Sequence, residues 1–229
     1  MDVQYNVKRV LDRVAEAAHR ANRAPEDITV VAVTKTVEVG RIMEAINAGI
    51  RHIGENRVQE FVKKHEFIPA EVKRHLIGTL QTNKVKYIID KIDLIHSLDR
   101  ISLAKELDRR AAAVGRVIPV LIQVNVSKES TKSGIFEEEL ESFIEQLEPF
   151  EHIRVKGLMT IAPLSGNPES ARPYFARLKE LFDRIKERGY PHIDMEYLSM
   201  GMTNDFEVAI EEGANIVRIG RAIFGERYV

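Results

Sequence analysis

The sequence contains no cysteine. Disulfides, thiol catalysis, thiolate-ligated zinc and cysteine-held iron–sulfur clusters are therefore excluded. A reducing cytoplasm fits this composition and is the expected compartment. There is no excess of either charge: 34 Lys and Arg stand against 35 Asp and Glu, a net charge of −1. No global field would draw the chain to nucleic acid or to an anionic membrane. No stretch approaches the roughly 20 apolar residues of a spanning helix. The first 22 residues carry charges throughout, without the apolar centre of a signal peptide. The seven histidines show no H-E-x-x-H or comparable ligand spacing, so no metal site is expected. No linker or low-complexity tract interrupts the 229 residues, and one domain spanning 1–229 is expected.

What is present is an alternation of strand and helix signals. Residues 2–22 repeat Val3, Val7, Val10, Val14, Ala17, Ala18 and Ala21 at helical spacing, which predicts an amphipathic helix. Strands are predicted at 28–34, 51–54, 74–80, 93–97, 117–126, 153–160, 194–199 and 215–219. Helices are predicted near 38–48, 56–66, 82–90, 99–113, 136–148, 169–188 and 204–212. Eight such units, with no G-x-G-x-x-G after the first strand, favour an α/β fold of the (β/α)8 TIM-barrel type with an extra N-terminal helix. The open doubly wound sheet shares the alternation and is the rival.

In a barrel, chemistry collects at the carboxyl ends of the strands. Lys35 ends the apolar run VVAVTKT at residues 30–36. An ammonium at the end of a buried strand costs several kcal/mol unless it is paired or loses its proton, and a neutral lysine is a nucleophile toward aldehydes and ketones. The alternative is a strand-end lysine that reaches water. Ser199, Gly201, Thr203 and Asn204 make a small polar turn after strand seven, and Gly220 and Gly225 bracket another after strand eight. Such turns expose backbone N–H groups to anions, and barrels frequently bind phosphate there. Arg218, inside the apolar segment NIVRIG, needs an acceptor for a charge that it keeps when buried. Amine, phosphate cup and ring-nitrogen partner are parts of a pyridoxal phosphate site. A Schiff-base aldolase would share the first two.

The segments AVTKT, IGENRVQE, HLIGTLQTNK, HSLDR, GLMTIAP and LSMGMTNDFEVAIEEGANIVRIGRAIFG resemble the pyridoxal phosphate homeostasis protein family, itself similar to the barrel domain of alanine racemase. The resemblance implies a fold-type III barrel holding pyridoxal 5′-phosphate as a Schiff base on Lys35. It implies that Ser199 donates to the phosphate, with backbone groups near Met200, Gly201, Gly220 and Arg221. Arg218 would face the pyridine nitrogen, Asn56 would lie near the ring, and His75 and Met159 would lie just behind. The family often has serine where Thr34 and Thr203 stand, and threonine where Arg221 stands.

Two functional classes follow. An arginine cannot accept the pyridine N–H bond and weakens the cofactor as an electron sink. This favours a carrier that binds, buffers and delivers pyridoxal phosphate, without robust turnover, over a low-activity amino-acid racemase or lyase. The expected partners are the cofactor and, by resemblance, apo-enzymes or amino acids, with the protein a monomer. The lysine-rich loop at 128–134 is the one candidate surface for a regulatory partner.

Overall fold

The computed structural model describes residues 2–129 and 131–226. Eight parallel strands close into a barrel: β1 (Thr29–Val33), β2 (His52–Glu55), β3 (Lys73–Leu76), β4 (Leu94–Leu98), β5 (Ile118–Gln123), β6 (Ile153–Met159), β7 (Ile193–Met202) and β8 (Ile216–Ile219). Strand β8 pairs with β1, with Val31 opposite Arg218, and this pairing closes the ring. The expected (β/α)8 barrel is what the chain forms. β1 is buried on both faces, as a parallel barrel strand must be, and this is why it reads as an unbroken β-branched run.

The outer ring comprises α2 (Val39–Asn47), α3 (Val58–Lys64), α4 (Ile101–Ala113), α5 (Leu140–Leu147), α6 (Arg172–Arg188), α7 (Phe206–Glu211) and the short α8 (Arg221–Phe224). The helix expected near 82–90 is instead a 3-10 helix, Thr82–Tyr87. Val85 and Ile88 are both buried three residues apart, a period that suits the tighter helix. The turn α8 was not foreseen, since four residues are too few to show a period.

The first helix, α1 (Val3–Arg20), is the predicted N-terminal addition. The Asp2 side chain caps it by accepting from the Tyr5 N–H at 3.1 Å. Its valine–alanine stripe packs on α7 and α8. Asn6 donates to the Ile223 carbonyl at 3.0 Å, and Arg13 grips Glu207.

Two glycines shape the barrel. A Cβ on Gly157, at φ +147°, would lie 1.8 Å from the Tyr197 carbonyl oxygen, so β6 and β7 approach only because it is absent. Gly201, at φ +88°, lies where the β7–β8 register shifts, and a Cβ there would meet Ala209 of α7 at 2.5 Å. This bulge carries β7 three residues past its predicted end.

Candidate functional site

At the carboxyl end of the barrel, β7, β8 and β1 are neighbours, and the loops that follow them surround a cavity of about 320 Å³. Lys35, Met202, Thr203, Asn204, Arg218, Gly220 and Arg221 line it, together with the 162–165 segment that follows β6. Lys35 is exposed in this mouth and makes no hydrogen bond or ion pair with the described residues. The expectation of a desolvated ammonium is corrected here: β1 is buried, but its last turn opens to solvent and Lys35 emerges with it. What distinguishes Lys35 is access and the lack of a competing partner.

Its backbone is held from both sides. Lys64 Nζ donates to the Thr34 carbonyl at 2.8 Å, to Glu55 Oε1 at 2.8 Å and to Glu60 Oε2 at 3.0 Å. Thr34 Oγ1 donates to Glu55 at 2.6 Å, and the Thr36 N–H donates to Glu60 at 2.5 Å. Thr36 takes the left-handed conformation at φ 59°. Burial raises the Glu55 carboxyl above its ordinary range, against the pull of Lys64 and Thr34. This brace escaped the sequence reading. Its one visible trace is the Glu60–Lys64 spacing of four residues on α3.

Arg218 is 3 % exposed and has no ion-pair partner within 4.0 Å among the described residues. It donates from Nη1 to Ser199 Oγ at 2.5 Å and from Nη2 to the Thr160 carbonyl at 2.8 Å. Burial lowers its pKa to about 10, opposed by the nearby Asp205, so it remains cationic at neutral pH. Asp205 is committed to the Met202 N–H at 2.6 Å.

The structure brings Lys35, Arg218, Gly220 and Arg221 to one cavity. It separates the others from it. Ser199 is fully buried, with its hydroxyl on Arg218 and His96, and does not line the mouth. Its side chain enters the barrel interior one level lower, opposite Ile216. Met200 faces the outer core, and Gly201 serves the bulge against α7. Met159 fills the inner barrel with Val31, Leu94, Leu121 and Ile216. His75 lines a basal pocket at the opposite end of the strands, with His52, Lys73 and Asp93. Asn56 lines a neighbouring polar depression with Thr79, Gln123 and Asn125, and its buried Oδ1 lacks a hydrogen-bond partner among the described residues. Two hydroxyl side chains among the described residues do line the mouth: Ser165, in the segment after β6, and Thr203, four residues beyond Ser199. The sequence marks the whole 199–204 turn as polar, but the bulge at Gly201 breaks the two-residue alternation, so which of its side chains reaches the mouth has no periodic signal.

The model of the family described as "Alanine racemase, N-terminal domain" matches residues 6–228. The pyridoxal phosphate homeostasis protein of Aquifex aeolicus is 48% identical over 99% of both chains. The chain belongs to this family. The structure of PipY from Synechococcus elongatus with PLP bound is 34% identical, at a TM-score of 0.80, covering 93% of this chain and 100% of that one. Alanine racemase from Corynebacterium glutamicum shares the fold at a TM-score of 0.73 and 18% identity, and this chain spans 61% of its length. The barrel of the pyridoxal phosphate homeostasis family thus accounts for all the described elements.

Two further expectations can be placed. No helix among the described residues is long and apolar enough to cross a membrane. In the 128–134 loop, Lys128 pairs with Glu137 and Glu138 and Lys132 with Glu129, while Ser130 lies outside the described residues.

Proposed function

We propose that this protein binds pyridoxal 5′-phosphate in the mouth cavity and serves in its homeostasis, by buffering and by delivery to apo-enzymes. The observation that carries the reading is the meeting on one cavity of an accessible Lys35 and a buried Arg218, neither of which has an ion-pair partner among the described residues. With Arg221 these cations outnumber the two carboxylates on the lining, Asp205 and Glu226, which suits an anionic ligand. A cavity of about 320 Å³ falls at the small end of the roughly 300–1,000 Å³ usual for small-molecule sites. The PLP-bound PipY structure and the family names support the same ligand.

When bound, the cofactor supplies an aldehyde that a primary amine captures with loss of water. Lys35 is the amine, fixed by the Lys64–Glu55–Glu60 brace. Thr203, the Gly220 turn and Arg221 would hold the phosphate end, with Arg221 offering a charge-assisted donor. This gives Thr203 the hydroxyl role expected of Ser199. Arg218, a donor only, would face the ring nitrogen and leave that nitrogen its lone pair. Holding the ring in this state favours storage over turnover.

Titration of the protein with pyridoxal phosphate, followed by borohydride reduction and peptide mapping, tests the assignment. A visible absorption band and a label on the Lys35 peptide are expected. A label on another lysine, or equal affinity for pyridoxal and its phosphate ester, overturns it. Solvent deuterium incorporation into amino acids at enzymic rates, about 1–1,000 per second, would establish a catalyst instead.

A further inference from the structure

The barrel interior carries a line of polar side chains that the mouth cavity does not use. His52 Nδ1 lies 2.9 Å from His75 Nε2, His75 Nδ1 lies 2.8 Å from His96 Nε2, and His96 Nδ1 lies 3.0 Å from Ser199 Oγ. Arg218 Nη1 then meets the same Ser199 oxygen at 2.5 Å. The line therefore runs from the basal pocket, where His52 faces Lys73 and Asp93, through β3 and β4 to β7 and β8 below the mouth. His75, His96, Ser199 and Arg218 are all buried. No group of three or more His, Cys, Asp or Glu among the described residues could hold a metal, so these imidazoles serve one another as donor and acceptor.

Each contact between two imidazoles has room for one proton, so the direction of one hydrogen bond fixes the next. Arg218 sets the first. It is a donor only, and its Nη1–H occupies one lone pair of Ser199 Oγ. The hydroxyl proton of Ser199 must then find an acceptor, and His96 Nδ1 is the acceptor within reach among the described residues. His96 consequently carries its proton on Nε2 and donates to His75 Nδ1. By the same logic, His75 donates from Nε2 to His52 Nδ1, leaving the Nε2–H of His52 for the basal end. The reverse direction would make Ser199 accept from both Arg218 and His96, and its own proton would be stranded in a buried site.

We infer that His96, His75 and His52 form a one-way chain of neutral Nε2–H imidazoles that fixes the Ser199 hydroxyl and thereby positions Arg218 toward the mouth. His96 acts as a positioning residue through Ser199, and His75 and His52 act by locking its tautomer. This assigns Ser199 a task in place of direct phosphate contact. Burial keeps His75 neutral, with its pKa lowered to about 3, and holds His96 well below its ordinary value. The consequence for ligand binding rests on the pyridoxal phosphate reading above; the chain and its direction do not.

Two-bond proton–nitrogen correlation spectra of ligand-free, nitrogen-15-labelled protein at neutral pH report each tautomer directly. All three histidines should show the neutral Nε2–H pattern. An Nδ1–H tautomer or an imidazolium at His75 or His96 overturns the direction. The same sample reads Arg218, whose side-chain N–H protons should be protected from solvent exchange. His96→Asn supplies a carbonyl acceptor for Ser199 and should keep that protection, whereas His96→Leu should lose it. If His96→Leu does not fold, Ser199→Ala removes the same link with a smaller change. With the ligand added, loss of the link should weaken pyridoxal phosphate binding about tenfold, with the Asn variant staying near wild type. Unchanged Arg218 protection in the folded Leu or Ala variant overturns the positioning role. Wild-type protein that fails to bind pyridoxal phosphate refutes the mouth assignment, and the tautomer and exchange results still decide the chain.

Discussion

The buried imidazole of His75 makes an acid-dependent stability loss that can be worked out. In the folded state its pKa is lowered from 6.5 to about 3, first by burial and then by His52 and Lys73. The unfolded chain therefore binds the proton first as pH falls. Stability attributable to His75 is intact above the unfolded value, declines as pH drops below about 6.5, and continues to decline to about 3. By linkage, these two values place the loss at pH 5 at about 2 kcal/mol for this one group, and near zero at pH 7.5. Acid relieves the opposite penalty at Glu55 and Asp205, whose carboxyls burial raises, so the raw curve mixes both signs. The diagnostic quantity is the stability gap between wild type and His75→Gln, which keeps those carboxyls. Urea unfolding at pH 7.5, 6 and 5 should show the gap shift by about 2 kcal/mol against the wild type across that range. A gap constant to within about 0.5 kcal/mol would mean that the folded imidazole of His75 takes up a proton as readily as the unfolded one, and the reasoning would fail.

Other substitutions probe the mouth and the frame. Lys35→Ala should abolish the borohydride-stable label while changing unfolding free energy by no more than about 0.5 kcal/mol, since the side chain is exposed and has no partner among the described residues. Thr203→Val should weaken binding of pyridoxal phosphate about tenfold in a spectroscopic titration and leave unphosphorylated pyridoxal unaffected. Lys64→Met strands the Glu55 carboxylate, whose side chain is 3% exposed, and should cost about 3 kcal/mol in chemical unfolding. Gly157→Ala forces a methyl to within 1.8 Å of a backbone oxygen, so soluble expression should collapse or thermal unfolding fall steeply.

The barrel was legible because parallel strands buried on both faces leave β-branched runs, and the helices between them keep their apolar stripes. Lys35, Arg218, Gly220 and Arg221 were legible for a related reason: strand ends in a barrel point to a shared mouth. Thr203 lines the mouth and Ser199 lies below it because one bulge at Gly201 shifts the register after residue 199, and a bulge of that kind has no periodic signal. The histidine chain was hidden by distance. His52, His75 and His96 are 23 and 21 residues apart, and only barrel closure brings Ser199, 103 residues beyond His96, against them. Lys35 was identified with the wrong environment, since a strand buried along its length still ends in an open loop.

The clasp of α1 on α7 and α8 has a consequence for the order of assembly. Asn6 bonds to Ile223, a separation of 217 residues, and β1 cannot gain its second neighbour until β8 exists. On a ribosome, the amphipathic α1 and one edge of β1 wait, with apolar surface uncovered, while nearly the whole chain is made. Contacts of such long sequence separation form slowly because the intervening loop must be closed first. The seam between β1 and β8 is also the wall of the cavity that holds Lys35 and Arg218. On the function proposed above, the site is complete only after chain closure, and a mouth occupied by a tight anion would act as a latch on the seam, slowing its reopening.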